Sequence, residues 1–431
     1  MEFVKAVYDF ITGFGPSVMM PIIVTLLGLA LGAKFGKALR AGITVGIGFI
    51  GINLVIGLLF RNLGPAAEAM VKNWGIQLTY IDVGWPVAAA IAFGTRIGSV
   101  IFLVGLVVNL VMLALRLTKS VDVDLWNYWH WAYTGSLIYI ATGNFWLGIL
   151  GSVIHAAYTL KVADITAPVI QKYFGWPDLS IAQGWATTSM LFIWPIFKIL
   201  DVLGIAKGGE AAEQADLERL RERIGVFAEP VMIGLLMGIV IGLLAYAPAG
   251  VGFRDMLVKV LTLAMDMAAV MLLMPRVVGI LMEGLVPLSE QAREFLQKRF
   301  AGREFYIGMD SALLIGEPLT LTVGFLLIPI TLILAAILPG NKLLPFGDLA
   351  ATPFFICMVT PFARGRFLRT LITGTIIMVI LLYMGTAWSP LITATAKSIG
   401  YSFPEGVAQI GGFANPLGWI LVMISRLLFG K

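Results

Sequence analysis

Charge is what this sequence has least of. Acidic and basic residues make up 13% of its 431 positions, about half the ~25% of an ordinary soluble domain. So few charges also exclude a disordered chain, which stays unfolded because it is polar and self-repelling. Cysteine occurs once, at Cys357. That excludes a disulfide framework, cysteine metal clusters and CxxC redox work. Histidine occurs twice, at His130 and His155, too few for a three-histidine metal site or for an ordinary haem-ligating membrane subunit. There is no GxxxxGK[ST] loop and no HExxH, which sets aside an importer's ATPase and a zinc peptidase. No catalytic nucleophile has an evident base partner. No cofactor, metal or catalytic residue is expected.

What the sequence has instead is apolar surface. Hydrophobic residues reach 59% and mean hydropathy is +0.92. A soluble core of this chain length cannot hide that much. The 48 glycines suit membrane helices, where small residues permit close contact. The net charge of +5 reads as basic cytoplasmic loops. No basic face of a soluble domain is present to hold nucleic acid. The N-terminal stretch MEFVKAVYDF is mildly amphipathic, and no signal-peptide cleavage site follows it. The expected class is an all-α, multi-pass protein of the cytoplasmic membrane.

A span needs about 20 apolar residues. Such segments run over 15–31, 41–59, 97–115, 179–200, 229–247, 257–275, 320–338, 350–363, 370–388 and 413–429. The stretch 131–160 fits one tilted span, a broken one or two short pieces. The total is roughly ten or eleven crossings. Two further segments, 81–95 and 305–318, are apolar but short and broken by glycine or proline. Residues 62–80 read as a polar connection. Two charged stretches, 207–223 and 276–304, do not belong in hydrocarbon. The basic clusters Lys34/Lys37/Arg40, Arg116/Lys119, the 207–223 run, Arg293/Lys298/Arg299/Arg303 and Arg364/Arg366/Arg369 should be cytoplasmic. The loops 339–349 and 389–412 are basic-poor and belong outside.

An internal repeat accompanies this pattern. FGPSVMMPIIVTLLGLALG at 14–32 matches AEPVMIGLLMGIVIGLLAY at 228–246. YIDVGWPVAAAIAFG at 80–94 matches YIGMDSALLIGEPLTLTVG at 306–324, and KSVDVDLW at 119–126 matches NKLLPFGD at 341–348. Order and spacing are kept, and charge places the two opening helices in opposite directions. That predicts an inverted repeat, the usual frame of a secondary transporter whose substrate sits at broken helices near the midplane. The expected division is 8–160 as first repeat, 161–228 as connector, 229–390 as second repeat and 391–431 as C-terminal loop and last span.

The broken segments are where chemistry is expected, because interrupted backbone in a membrane survives only inside protein or beside a wet cavity. Asp82 opens the first, before Gly84 and Pro86. Asp310 and Glu317 lie in the second, with Pro318 following. Carboxylates there accept hydroxyl hydrogens and suit a neutral polyhydroxyl ligand; the plainer role is a helix cap. Gln183 heads the hydroxyl-rich Thr187-Thr188-Ser189. Asp348, after Pro345-Phe346-Gly347, is either a cap or a ligand residue. His155 is either a satisfied core histidine or a substrate contact. His130, within Trp126-Asn127-Tyr128-Trp129-His130-Trp131, reads as part of an interfacial aromatic belt. The substrate-binding set is thus Glu317, Asp310, Asp82, Gln183, Asp348 and His155.

Several strings taken together, GPSVMMPIIVTLLGLALG, Ile81-Asp82-Val83-Gly84-Trp85-Pro86, DVDLWNYWH at 122–130, MLLMPRVV at 271–278, LLPFGDLA at 343–350 and FLRTLITGTIIM at 367–378, resemble the membrane subunit IIC of the galactitol-type sugar phosphotransferase system. The family is related to the ascorbate type, and the resemblance covers about 8–388. It implies a homodimer with a core domain that holds the sugar and a scaffold domain, and transport by an elevator-like movement of the core. It further implies a sugar-alcohol substrate phosphorylated on arrival by a cysteine of a separate IIB protein, itself charged by IIA. Cys357, in an apolar segment, is not that cysteine. The charged stretches 205–228 and 276–304 are candidate docking surfaces. The chain departs from the pattern at Gln183-Gly184-Trp185-Ala186, where members tend to carry His-Gly-Thr-Ser, and at Glu317, where they tend to carry histidine. These departures leave open another polyol or a pentose-like sugar, and an ion-coupled or uncoupled secondary transporter as the alternative function.

Overall fold

The computed structural model describes residues 16–30, 32–75, 78–205, 229–250, 252–299, 304–345, 348–400, 407–410 and 415–429. The amphipathic N-terminal stretch and the charged run 207–223 lie outside the described residues. In chain order the elements of the first half are α1 (Pro16–Ala30), α2 (Phe35–Asn73), β1 (Tyr80–Asp82), α3 (Gly84–Gly94), α4 (Ile101–Ala114), β2 (Ser120–Asp122), α5 (Trp129–Thr142), α6 (Phe145–Phe174), β3 (Leu179–Ile181) and α7 (Gly184–Leu203). The second half has α8 (Pro230–Tyr246), α9 (Phe253–Arg299), β4 (Tyr306–Met309), α10 (Pro318–Ile337), β5 (Leu343–Leu344), α11 (Thr352–Ile356), α12 (Val359–Phe362), α13 (Phe367–Ser398), β6 (Val407–Ala408) and α14 (Pro416–Phe429).

Among the described residues, five helical stretches are long and apolar enough to cross a membrane: Phe145–Phe174, Gly184–Leu203, Phe253–Leu273, Pro318–Ile337 and Phe367–Ser398. Shorter apolar ones are Gly98–Ala114, Gly234–Tyr246, Thr352–Phe362 and Pro416–Phe429. Many large apolar side chains point outward, among them Leu103, Leu110, Val202, Met265 and Ile337. In water that would be a liability; in hydrocarbon it is the expected surface.

The structure corrects the segment reading in three places and resolves it in a fourth. Residues 62–80 are not simply a connection, because α2 continues to Asn73. Likewise the charged stretch after Arg276 does not leave the helix, since α9 runs 47 residues to Arg299. Charge bars a segment from hydrocarbon, yet Glu, Gln, Lys, Arg and Leu are all good helix formers. At 1.5 Å per residue α9 is about 70 Å long, more than twice a bilayer core of ~30 Å. The open question at 131–160 resolves into two helices. Gly143, with φ +70°, ends α5 in a conformation that costs glycine little. Asn144 then starts α6 by accepting the amides of Trp146 and Leu147 at 2.9 and 3.2 Å. Lastly 350–363 is two short helices, α11 and α12.

Helices α1, α2, α8 and α9 pack mutually, with small residues at the contacts: Gly42 against α1, Gly284 against Ala41 and Val45, Gly238 against Ala264. The remaining elements surround two small parallel sheets that no periodicity announced. One has the order β5-β1-β6, the other β2-β4-β3. Tyr80 pairs with Leu343, and Ile81 with both Leu344 and Val407. Ser120 pairs with Tyr306, and Ile307 with both Val121 and Leu179. Each central strand therefore comes from one half of the chain and both its neighbours from the other. The halves interlock through the strands that open their broken segments. Arg116, Lys119 and Lys172 precede β2 and β3, while Lys72, Lys342 and Lys397 precede β1, β5 and β6.

Candidate functional site

Most of the candidate side chains lie where the two sheets end. At its entrance the β2-β4-β3 sheet is pinned by Asp164 of α6. Its carboxylate accepts the Lys119 amide at 3.0 Å, the Thr118 hydroxyl at 3.1 Å and the Ser120 hydroxyl at 2.8 Å. Lys119 Nζ reaches across to Glu304 Oε2 at 2.6 Å. This contact holds the Lys119 amine above its usual pKa and the Glu304 carboxyl below its own.

The far end of the same sheet is acidic and buried. Asp310 follows β4 and caps a 3-10 turn over Ser311–Gly316. Its Oδ1 accepts the Ala312 amide at 2.9 Å and the Ser311 hydroxyl at 3.2 Å. Asp122 ends β2. Its Oδ1 accepts the Asp124 amide at 3.1 Å, while Oδ2, buried, has no hydrogen-bond partner. Asp310 and Asp124 both lie near enough for their charges to act on Asp122.

Gln183 joins them from the end of β3, held by a chain of hydrogen bonds. Asp124 Oδ2 accepts from Asn127 Nδ2 at 2.8 Å. The Asn127 carbonyl faces His130 Nδ1 at 3.1 Å, so that nitrogen carries the proton, because a carbonyl can only accept. His130 Nε2 then accepts from Gln183 Nε2 at 3.2 Å. The other end of the amide, Gln183 Oε1, accepts the Ala186 amide at 2.6 Å and caps α7. Gly184 lies so close to the His130 side chain that a Cβ would collide with it. His130 is thus not in an interfacial belt. It is buried with Tyr128, Trp129 and Trp131, because α5 is enclosed by α3, α4, α6 and α14. His155 lies deeper in the same packing, its Nδ1 2.9 Å from the Thr134 hydroxyl and its Nε2 without a partner. Cys357 is also buried.

The β5-β1-β6 sheet ends in acids too, but these bond one another's backbone. Asp82 Oδ1 accepts the Gly84 amide at 3.1 Å and Oδ2 the Asp348 amide at 2.8 Å. Asp348 Oδ1 accepts the Trp85 amide at 2.8 Å, and Oδ2 accepts from Gln409 Nε2. Every carboxylate oxygen of the pair has a donor. Glu317 stands apart from both sheets. It caps α10 through the Thr320 amide at 2.6 Å and faces the Tyr173 hydroxyl at 3.4 Å, near the turn at Gly365.

The six residues singled out from sequence therefore divide. Asp310 and Gln183 come together, with His155 behind them. Asp82 and Asp348 form a separate buried pair, and Glu317 caps a helix elsewhere. Sequence reasoning passed over Asp122, Asp124, Asn127, Tyr128 and Gln409. The repeat held a signal for two of these, since the segment containing Asp348 aligns with 119–126, which contains Asp122 and Asp124.

Comparison with known proteins agrees with this architecture. The family described as "PTS system sugar-specific permease component" (EIIC-GAT) matches residues 9–406. A protein of Escherichia coli (strain K12) named "Putative permease IIC component" is 41% identical over 422 residues, 97% of this chain and 94% of its own length. The "PTS system galactitol-specific EIIC component" of the same strain is 39% identical over 420 residues, 97% of this chain and 90% of its own. Its counterpart in Escherichia coli O157:H7 matches to the same extent. With lipid-suited spans, interlocked halves broken at acidic strand ends, and likeness over nearly its whole length, the chain belongs to the EIIC-GAT family of sugar-specific permease components and is a multi-pass membrane protein.

Proposed function

We propose that this chain carries a neutral, galactitol-like sugar alcohol inward across the cytoplasmic membrane, and that the alcohol is held at the end of the β2-β4-β3 sheet. The observation behind this reading is the contrast in spare acceptors. At the β5-β1-β6 end each carboxylate oxygen is already bonded. At the β2-β4-β3 end Asp122 Oδ2 is buried and unpaired, and the bonds to Asp310 fall on Oδ1 alone. Hydroxyl groups are the donors such oxygens need. Gln183 adds an amide whose orientation is fixed by His130 and Ala186.

In this reading Asp310, Gln183 and Asp122 touch substrate and His130 positions Gln183. Asp82, Asp348 and Glu317 support the backbone. The α1–α2 and α8–α9 hairpins act as scaffold and dimer contact, and the remaining elements move as an elevator. A separate IIB protein, charged by IIA, delivers the phosphoryl group from the cytoplasmic side. The chain divides into two repeats, 8–160 and 229–390, with a connector at 161–228 and a last span in 391–431.

The test is uptake of labelled galactitol by vesicles containing the protein, with and without IIB, IIA and a phosphoryl donor. Phosphorylated product inside only when the donor chain is present supports the reading. Free galactitol accumulating on a proton gradient alone overturns it.

A further inference from the structure

We propose that Asn109 is a positioning residue: it completes the open edge of β2 and so fixes the direction in which Asp122 presents its carboxyl group. The inference rests on the proposed function, which places Asp122 at the substrate, and adds to it the side chain that aims that residue. Asn109 is the one polar side chain in α4, IFLVGLVVNLVMLA. A polar residue inside an apolar span is costly and is kept where the protein gives it a partner. Asn109 is buried, on the stripe Ile101, Gly105, Asn109 and Met112, a spacing that makes one helical face. At Gly105, one turn earlier, a Cβ would collide with the Tyr128 and Trp131 rings. With α4 packed that closely, a side chain as short as asparagine reaches β2.

β2 is an edge strand of its sheet. β4 satisfies one side of it: the Tyr306 amide donates to the Lys119 carbonyl at 2.9 Å, and the Val123 amide to the Gly308 carbonyl at 3.3 Å. Along an extended strand the intervening residues turn their backbone groups the other way, so the Ser120 carbonyl and the Asp122 amide face the open edge. Such groups need a partner when they are buried. Asn109 serves both. Its Nδ2 donates to the Ser120 carbonyl at 2.8 Å and its Oδ1 accepts the Asp122 amide at 3.1 Å, the two bonds that a further strand would make. On the opposite edge Gln171 Nε2 donates to the Leu179 carbonyl at 2.9 Å, at the first residue of β3 rather than beside Gln183. The Asp122 carboxyl is itself little restrained, since Oδ1 accepts only the nearby Asp124 amide and Oδ2 has no partner. Its direction is therefore set by the backbone, which Asn109 holds from the side that β4 leaves free. Asn109 acts on backbone groups, so it does this whether or not the carboxyl carries a proton.

The test is a double-mutant cycle read in affinity. Isothermal titration with galactitol is run on the purified full-length protein as wild type, Asn109→Leu, Asp122→Asn and the double variant. Leucine is close to asparagine in size and suits an apolar span. Each single substitution is expected to weaken binding roughly ten-fold, and the double variant to stay within about three-fold of the weaker single, because a residue that acts through Asp122 has nothing to aim once that carboxyl is gone. Asn109→Gln, which keeps an amide donor and acceptor, should bind galactitol more tightly than Asn109→Leu. Losses that multiply in the double variant, to roughly a hundred-fold, overturn the proposal. So does Asn109→Leu that binds like wild type, or Asn109→Gln that binds no better than Asn109→Leu. These three results leave the site assignment standing. Where Asn109→Leu gives no monodisperse protein, Asn109→Ser takes its place in the same cycle. Asp122→Asn that binds like wild type, or wild type that binds no galactitol, overturns the site assignment, and the role of Asn109 with it.

Discussion

The two three-stranded sheets are each all parallel and share the exchange of central strands and acidic residues at their ends, yet they use those acids differently. Around β1 the carboxylates of Asp82 and Asp348 accept backbone amides from each other's segment, so the broken backbone is closed on itself. Around β4 the carboxylates accept one local amide each and keep oxygens in reserve. The same residue type closes the backbone on one side and, in the proposed function, meets the substrate on the other. What separates the two is whether the chain supplies the donors.

This contrast can be broken most severely at Asp82. Asp82→Ala strips two buried amides, those of Gly84 and Asp348, of their acceptor, at about 1–3 kcal/mol each. The expected outcome is loss of a monodisperse peak in size-exclusion chromatography or a large drop in melting temperature. Asp122→Asn and Asp310→Asn should do the reverse. The amide oxygen still serves the local cap, so melting should stay near wild type while polyol affinity falls at least ten-fold, about 1.4 kcal/mol, by titration. Asp82→Asn melting like wild type while losing polyol binding would exchange the roles of the two sheets.

Gln183→Ala should give a mixed and smaller result. Removal of the α7 cap costs about 1 kcal/mol, and the loss of its amide weakens polyol binding, both readable in one thermal-shift titration. The smallest effect belongs to the entrance pair. Lys119 and Glu304 are half or more exposed, and such pairs contribute little. The amine's raised pKa means its contribution is present below the ordinary lysine value and is lost as pH climbs through the raised one. The carboxyl's lowered pKa means its contribution is present above the ordinary glutamate value and is lost as pH falls through the depressed one. Between about pH 5 and 10 the melting curves of wild type and Lys119→Met should therefore run parallel.

Much of this molecule was legible before any coordinates. Hydropathy located the spans, and glycine and proline marked both broken segments. The repeat aligned 80–94 with 306–324, the pieces that become the two central strands. The strands themselves were not legible, because two to four residues are too few for an alternating pattern and their partners lie far along the chain. Helix continuation through 62–73 and 276–299 was missed because polarity signals the end of hydrocarbon, which is not the end of a helix. At the proposed site, Asp310 and Gln183 were singled out from their neighbours. Asp122 was not, since nothing local distinguishes a bonded carboxylate from one with an oxygen to spare.

Sequence alone determined the solvent of this protein, its family likeness and the places where its helices break, because these depend on composition and on residues close together along the chain. Only tertiary structure decided which buried carboxylates have every oxygen bonded and which keep one to spare. That choice depends on donors brought from the other half of the chain, as the Asp348 amide is brought to Asp82, and no local pattern records where they arrive.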